Sequence, residues 1–220
     1  MNRAVIFDLD GTLLNSLRDL AAAGNHVLCE LGYAPHDVQD YRQMAGSGIP
    51  VLVERMLQKA GAAPQLHSTA LSAFRSYYEA HHADLTLPYE GVIQVLDVLR
   101  AGGVRTGVLS NKDEVLARQL CSRFFAGRLD LVCGLREGAA PKPCPDLLLQ
   151  MLARLSCPRH SAVYVGDSDV DMFTAQRAGV HAVGVLWGFR SRQELTAAGA
   201  KQLCEAPHEL VAAVQALSMQ

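Results

Sequence analysis

Short, continuous apolar runs alternate with amphipathic stretches through most of this chain. One run lies close to the N-terminus at residues 3–7, and the others begin after residue 100. Within each run apolar residues predominate and do not alternate regularly with polar ones, which is typical of parallel strands covered on both faces. The later runs are 104–109, 129–133, 162–165 and 180–186.

Amphipathic helical patterns separate these predicted strands. An order of strand, helix, strand, helix predicts right-handed βαβ units, and therefore an α/β fold with a doubly wound parallel sheet. The helical patterns are 92–100, 114–124, 145–154 and 170–178.

Residues 16–84 interrupt this rhythm, because they contain helical patterns and no convincing strand. Glycine and proline residues punctuate the three patterns. We therefore predict an all-helical cap inserted after the first strand, at 16–84, and a catalytic core made of 1–15 and 85–220. The helical patterns are 17–31, 49–60 and 66–83.

Composition narrows the classes of function. The chain has 220 residues, 50% of them hydrophobic, and a formal net charge of −2, so it lacks the basic surface of a dedicated nucleic-acid binder. No apolar stretch is long enough to span a bilayer, and the N-terminus has no signal-peptide pattern. Six cysteines without a C-x-x-C pair indicate reduced thiols and predict a cytoplasmic location, with neither nucleic acid nor membrane as partner.

Two carboxylates follow the first predicted strand, at Asp8 and Asp10. Side chains two residues apart in an extended chain point the same way, so both face the carboxyl edge of the sheet, where open α/β folds bind ligands. Gly11 then allows a sharp turn. An isolated Asp-x-Asp pair is often a turn or a helix cap.

A second acidic group, which follows another predicted strand, argues against that simple explanation. Asp167 stands at the strand end, and Asp169 and Asp171 come next, with Asp169 expected to cap a helix. If the two strands are central and parallel, Asp8, Asp10 and Asp167 converge. Like charges this close require a cation, and oxygen ligands favour Mg²⁺ over zinc or copper.

Two further segments carry polar groups suited to binding phosphate: a hydroxyl after a predicted strand and an ammonium group in a loop. Ser110 and Asn111 follow the strand pattern 104–109, and Lys142 stands between two prolines that stiffen its loop. Such groups suit the equatorial oxygens of a transferring phosphoryl group.

These four segments, in this order, resemble the motifs of the haloacid dehalogenase-like (HAD) hydrolase superfamily, and the resemblance covers essentially the whole chain. It implies a Rossmann-like core, a four-helix C1-type cap, Mg²⁺ and a small phosphorylated metabolite as substrate. The matching segments are Asp8-Leu9-Asp10-Gly11-Thr12, Ser110, Lys142, and Gly166-Asp167-Ser168-Asp169-Val170-Asp171.

The resemblance also implies a role for each matching residue. Asp8 is the nucleophile that becomes phosphorylated, and Asp10 is the acid and base. Ser110, Asn111 and Lys142 bind phosphate. Asp8, Asp167 and the backbone carbonyl of Asp10 bind the metal. Asp171 either orients Lys142 or lies in the second shell of the metal.

Within the superfamily the likeness is greatest to the phosphoglycolate phosphatases, which implies 2-phosphoglycolate as substrate. It rests on residues 11–16, on the Gly46-Ser47-Gly48 segment, expected to be a substrate loop of the cap, and on residues 184–189. Asn15 departs from the aspartate more usual in that group. Trp187 is compatible with either packing or substrate contact.

Other activities share these motifs. Pyrophosphate, sugar phosphates and nucleotides remain alternative substrates, and a phosphoglucomutase-like transferase or a silent phospho-ligand-binding module remain alternative functions. Dehalogenases lack the second aspartate. A phosphonatase needs a cap lysine, and Lys59, the only lysine of the cap, is expected on a solvated face. His81 and His82 are adjacent on a helix pattern and do not share a face.

Overall fold

The computed structural model describes residues 3–217. Within them the chain forms eight strands, six of which pair in parallel to make one sheet. In chain order the strands are β1 (Ala4–Phe7), β2 (Leu14–Asn15), β3 (Leu87–Pro88), β4 (Arg105–Asp113), β5 (Leu131–Leu135), β6 (Ala162–Gly166), β7 (His181–Val185) and β8 (Gln202–Cys204).

Ten α-helices connect or flank these strands in the described part of the chain. Four of them lie between β2 and β3. None of the described helices is both long and apolar enough to cross a bilayer. The helices are α1 (Leu17–Glu30), α2 (Tyr41–Met44), α3 (Ile49–Lys59), α4 (His67–His81), α5 (Val92–Ala101), α6 (Glu114–Phe125), α7 (Asp146–Arg154), α8 (Asp169–Ala178), α9 (Arg192–Ala197) and α10 (Leu210–Leu217).

The sheet has the strand order β5-β4-β1-β6-β7-β8, so β1 lies at its centre. The chain builds outward from β1 to β4 and β5 on one side, and then from β6 to β8 on the other. All residues of β1 and β6 are buried, as their apolar sequences predict. The order reverses at β1, and ligands bind at such a switch point in open α/β sheets.

The chain divides into two compact units. One comprises the chain up to Leu14 and from Pro88 onward, and the other spans Asn15–Leu87. The first contains the parallel sheet, and the second contains α1 to α4. Between residues 16 and 84, all of which are described, no strand occurs.

The helical unit has an aromatic core of its own. Tyr41, Phe74 and Tyr78 are fully buried, and burial of a side chain of this size stabilises a fold by about 1.5–3 kcal/mol. Gly24 in α1 lies against the Tyr41 ring so closely that an added Cβ would overlap it. The Tyr41 hydroxyl donates to Asn25 Oδ1 at 2.9 Å, so its polar atom is satisfied.

Several elements differ from the sequence expectation. β4 continues to Asp113, because its pairing with β5 resumes at Asp113 and Leu135 after a register shift. The elements α9, β8 and α10 were not predicted, since they are short and lie outside the apolar runs. Ser168, and not Asp169, caps α8: its hydroxyl accepts from the Asp171 N–H, while the Asp171 carboxylate accepts from Ser168.

A buried carboxylate, Asp19, holds together the two ends of the helical unit. One of its oxygens accepts hydrogen bonds from the Thr86 N–H at 2.8 Å and the Thr86 hydroxyl at 2.6 Å. The Leu85 N–H lies 3.0 Å from its other oxygen. Asp19 is only 2% exposed, so its loss would leave buried donors without an acceptor.

Replacement of Asp19 by alanine should lower the free energy of unfolding by about 2–4 kcal/mol, because each stranded buried donor costs about 1–3 kcal/mol. Asp19→Asn, which keeps one oxygen acceptor, should lose clearly less. Urea denaturation followed by circular dichroism measures both. Asp84→Ala removes an exposed carboxylate of the same unit and should stay within about 0.5 kcal/mol of wild type. Equal losses for Asp19→Ala and Asp84→Ala would contradict this role.

Candidate active site

The carboxyl ends of three adjacent strands bring the predicted site residues together. Asp8 directly follows β1, Ser110 lies near the end of β4, and Asp167 directly follows β6. β1 pairs with both neighbours, and the Asp8 N–H donates to the Val165 carbonyl at 2.8 Å. Parallel pairing at the centre of the sheet therefore places residues far apart in sequence around one point.

Lys142 joins two of the buried carboxylates. Its Nζ lies 2.9 Å from Asp8 Oδ1 and 2.7 Å from Asp171 Oδ1. The three residues are at most 5% exposed. The Tyr164 hydroxyl lies 3.1 Å from the same Nζ and completes this buried cluster.

The protonation of this cluster follows from burial and from charge. Burial, and then the Asp171 carboxylate, raises the pKa of Asp8 well above its ordinary value, although Lys142 opposes the shift. Burial alone would lower the pKa of Lys142, but Asp171 and Asp8 raise it well above its usual range. Lys142 is therefore a firmly charged ammonium group.

Asp171 has little capacity left for another ligand. Its Oδ1 accepts from Lys142 and lies 3.2 Å from the Tyr164 hydroxyl. Its Oδ2 accepts from the Ser168 N–H at 3.1 Å and from the Ser168 hydroxyl at 2.6 Å. A carboxylate offers about four lone-pair positions. This geometry favours the first alternative for Asp171, in which it orients Lys142.

Asp167 is fixed from both sides. Its Oδ1 accepts from the Thr12 hydroxyl at 2.8 Å, and its Oδ2 accepts from the Phe189 N–H at 2.8 Å. Added Cβ atoms at Gly11 or Gly188 would overlap its carboxyl group. Burial, followed by repulsion from Asp171, raises the pKa of Asp167 to about 7.

The sequence pattern does not predict this support for Asp167. Gly188 and Phe189 lie in the 184–189 segment that resembles the phosphoglycolate phosphatases, and that resemblance implies no contact with Asp167. Trp187 belongs to the same segment, and its indole Nε1 donates to the Thr12 carbonyl at 3.0 Å. The glycine at 188 was the available signal, since close backbone approach commonly requires glycine.

Asp10 stands two residues after Asp8, directly before a tight turn. Gly11, with φ of 86°, allows the turn, and its N–H donates to the Leu14 carbonyl at 2.8 Å. The Asp10 carboxylate is paired with Lys112, whose Nζ lies 3.1 Å from Oδ2. The side chain of Asp10 is 17% exposed and that of Lys112 only 3%. Lys112 was not predicted as a site residue.

Asn111 connects β4 to the loop of Lys142. Its Oδ1 accepts from the Lys142 N–H at 2.8 Å, and its Nδ2 donates to the Lys142 carbonyl at 3.2 Å. Ser110 is 3% exposed, and its hydroxyl accepts from the Lys112 N–H at 3.2 Å. Both groups of the Asn111 amide are therefore engaged with the backbone that carries Lys142.

The residues singled out from the sequence of the helical unit are described by their backbone conformation and their partners within that unit. Gly46 and Gly48 have φ of 103° and 89°, values that favour glycine, and with Ser47 they directly precede α3. Lys59 pairs with Asp40 at 3.0 Å and is 48% exposed, as expected for a solvated face. His81 bonds the exposed Asp84 at 2.8 Å.

Three carboxylates lie close enough together to hold a metal ion, and Asp8 and Asp167 are its candidate ligands because each Asp171 oxygen already accepts two hydrogen bonds. Single oxygens of Asp8, Asp167 and Asp171 lie within 4.8 Å of one another. Lys142 offsets only part of their charge. Oxygen-only donors and an uncompensated negative charge suit a hard divalent cation. Such an ion would also offset the repulsion that raises the pKa values of Asp8 and Asp167.

The chain matches the family model described as haloacid dehalogenase-like hydrolase over residues 5–185. It therefore belongs to that family of hydrolases, in agreement with the resemblance seen in its motifs.

Similar proteins point to one branch of the family. Two relatives carry the name phosphoglycolate phosphatase. The one from Cereibacter sphaeroides is 39% identical over 189 residues, which are 84% of this chain and 86% of that protein. The one from Aquifex aeolicus is 32% identical over 191 residues, 85% of this chain and 86% of that protein.

A solved structure from Lactobacillus delbrueckii subsp. bulgaricus, provisionally named a phosphoglycolate phosphatase, has the same fold. It is 30% identical, has a TM-score of 0.93, and covers 97% of this chain and 99% of that chain. The predicted Rossmann-like doubly wound core is thus confirmed.

Mg²⁺ should stabilise the protein more at high pH than at low pH. The pKa of Asp167 is about 7 in the folded protein, against about 3.9 in an unfolded chain. Folded metal-free protein therefore binds the extra proton, and the stability from this group is lost as the pH rises between those values. Mg²⁺ competes with that proton and restores the lost stability.

In thermal denaturation, a fixed Mg²⁺ concentration of about 100 times the Kd at pH 8 should raise Tm by roughly 5–10 °C near pH 8 and by much less near pH 5.5. Asp167→Asn should lose most of this shift. Asp169→Asn, which changes a half-exposed carboxylate outside the cluster, should keep it. A shift of equal size at both pH values, or an undiminished one in Asp167→Asn, would contradict the proposed cation site.

Proposed function

We propose that this phosphatase hydrolyses 2-phosphoglycolate, a small phosphate monoester, through a phospho-aspartate formed on Asp8, with Mg²⁺ as cofactor. The observation that carries the proposal is the buried Asp8 carboxylate, bonded to Lys142 and beside Asp167 at the switch point of the sheet. A carboxylate and an ammonium group in this arrangement suit attack on a phosphoryl group.

Asp8 is the proposed nucleophile. Its carboxylate oxygen attacks phosphorus, and the bond from phosphorus to the ester oxygen breaks. Lys142, held by Asp171, offers positive charge to the phosphoryl oxygens, and Ser110 offers a hydroxyl. The Asn111 amide keeps the Lys142 backbone in place.

Asp10 is the proposed acid and base. It gives a proton to the departing alkoxide in the first step, and it takes a proton from the water that attacks phosphorus in the second. That attack breaks the bond between phosphorus and the Asp8 oxygen, releases inorganic phosphate and regenerates the Asp8 carboxylate. The side chain of Asp10 is more exposed than that of Asp8, so Asp10 is the better placed of the two for exchanging protons with substrate and water.

Mg²⁺, bound by Asp8, Asp167 and the Asp10 carbonyl, would supply positive charge that keeps Asp8 ionised and offsets charge on the phosphoryl group. Asp8 and Asp167 each place a carboxylate oxygen within 4.8 Å of the other, and oxygen donors fit this ion. The Gly46-Ser47-Gly48 segment stays a predicted substrate loop.

The choice of 2-phosphoglycolate rests on the names of the relatives, the most similar of those described being 39% identical. Pyrophosphate, sugar phosphates and nucleotides are the competing substrates. A mutase is the competing reaction: a β-phosphoglucomutase-type structure from Thermotoga maritima shares the fold at 20% identity. The intact Asp8, Asp10 and Lys142 argue against a silent binding module. We also propose a cytoplasmic location, in keeping with six free cysteines.

A substrate panel tests the choice of substrate. With Mg²⁺ present, kcat/KM for 2-phosphoglycolate should be among the highest of a set that includes pyrophosphate, sugar phosphates and nucleotides. Asp8→Asn protein, purified in the same way, should release no phosphate and controls for contaminating phosphatases. A value for 2-phosphoglycolate about tenfold or more below that for another compound would exclude it as the preferred substrate.

Asp10→Asn should separate the two chemical steps. Loss of the acid should lower kcat on 2-phosphoglycolate by about 10²–10⁴-fold. p-Nitrophenolate leaves without a proton, so p-nitrophenyl phosphate should still phosphorylate Asp8, while hydrolysis of that intermediate stalls. Rapid mixing should show a burst approaching one equivalent of nitrophenolate, followed by a slow phase.

The trapped species should be an acyl phosphate that hydroxylamine releases. Mg²⁺ affinity, measured by the thermal shift, controls for damage to the metal site. If Asp10→Asn binds Mg²⁺ normally and turns over slowly with no burst and no trapped phosphate, Asp10 is not the base of the second step.

A further inference from the structure

Each of the two aspartates after β1 has its own buried lysine. Asp8 is paired with Lys142, whereas Asp10 is paired with Lys112 at 3.1 Å. The two lysines come from different segments, the loop that follows β5 and the end of β4.

Lys112 reaches Asp10 because β4 extends past its pairing with β1, which ends at Val108. Lys112 follows Ser110 by two residues, in the part of β4 where the register with β5 shifts. Its N–H donates to the Ser110 hydroxyl at 3.2 Å. The side chain of Asn111, between them, forms two hydrogen bonds with the backbone of Lys142. The end of β4 thus contacts the phosphate-binding hydroxyl, the Lys142 loop and Asp10.

Stability alone does not account for a charge as deeply buried as that of Lys112. Removing an ion from water costs several kcal/mol, and apolar side chains of similar volume are often equally stable. The side chain of Lys112 is only 3% exposed. The charge of Lys112 is therefore kept despite its desolvation free energy, which indicates a role in the reaction.

We propose that Lys112 is a positioning residue for Asp10: by binding Oδ2, it holds the carboxylate in the orientation from which Asp10 exchanges protons with the leaving group and the attacking water. This inference rests on the proposed function. It assigns Lys112 no contact with substrate, because Lys142 and Ser110 already serve the phosphoryl group and Lys112 acts through Asp10.

Lys112→Met, which keeps the length of the side chain and removes the charge, tests the proposal. Misplaced acid and base groups should lower kcat on 2-phosphoglycolate by about 10–100-fold. KM should change by less than about threefold, since substrate binding is left intact. On p-nitrophenyl phosphate the variant should show a burst, because phosphorylation needs no proton there and hydrolysis still does.

Three controls separate positioning from a purely structural role. Lys201→Met removes an exposed lysine of the same unit and should leave all rates unchanged. Lys112→Arg retains a cationic donor and should recover part of kcat. Addition of Lys112→Met to Asp10→Asn should lower the rate no further, because a residue that acts through Asp10 has nothing left to position.

The outcomes that overturn the proposal are distinct. Multiplicative losses in the double variant, or a KM increase confined to 2-phosphoglycolate, would show that Lys112 acts independently of Asp10 or binds substrate itself. If Lys112→Met folds poorly, Lys112→Gln takes its place in the same cycle. An active wild-type enzyme with unaffected Lys112 variants would refute this inference alone, whereas an inactive wild type would refute the proposed function as well.

Discussion

Negative charge confined in a buried space is the constraint on which the rest of the site depends. Asp8, Asp167 and Asp171 place single oxygens within 4.8 Å of one another, in surroundings nearly closed to water. Left alone, such carboxylates would take up protons, and a protonated Asp8 could not act as a nucleophile. Hydrogen bonds from Lys142 to Asp8, and from Thr12 and Phe189 to Asp167, oppose that protonation by lowering the pKa values.

The contacts divide this task among several segments of the chain. Lys142 neutralises part of the charge, and Ser168 and Tyr164 hold Asp171 beside Lys142. The Thr12 hydroxyl and the Phe189 N–H hold Asp167. These donors are fixed by the strands and turns that carry them. The site is therefore organised before substrate arrives, because the free energy of folding, and not that of substrate binding, orients these groups.

Periodicity and strand ends predict the positions of only some of the site residues. Asp8, Asp10 and Asp167 could be placed because each follows a continuous apolar run. Lys112 and Phe189 could not be placed in this way. The contact of Lys112 depends on the extension of β4, and that of Phe189 depends on the path of the loop after β7, and no local sequence pattern encodes either. The extension of β4 to Asp113 follows from pairing with β5, which is a long-range contact.

The paired strands β2 and β3 have an evolutionary consequence. The chain leaves the sheet unit after Leu14 and re-enters it at Pro88, and the Tyr89 N–H donates to the Leu13 carbonyl at 3.1 Å. A segment whose ends are already held together behaves as a closed loop, in which each doubling of length costs only about 0.6 kcal/mol. All the residues proposed for chemistry lie outside that segment. It can thus be lengthened, shortened or exchanged between lineages while the chemistry stays the same.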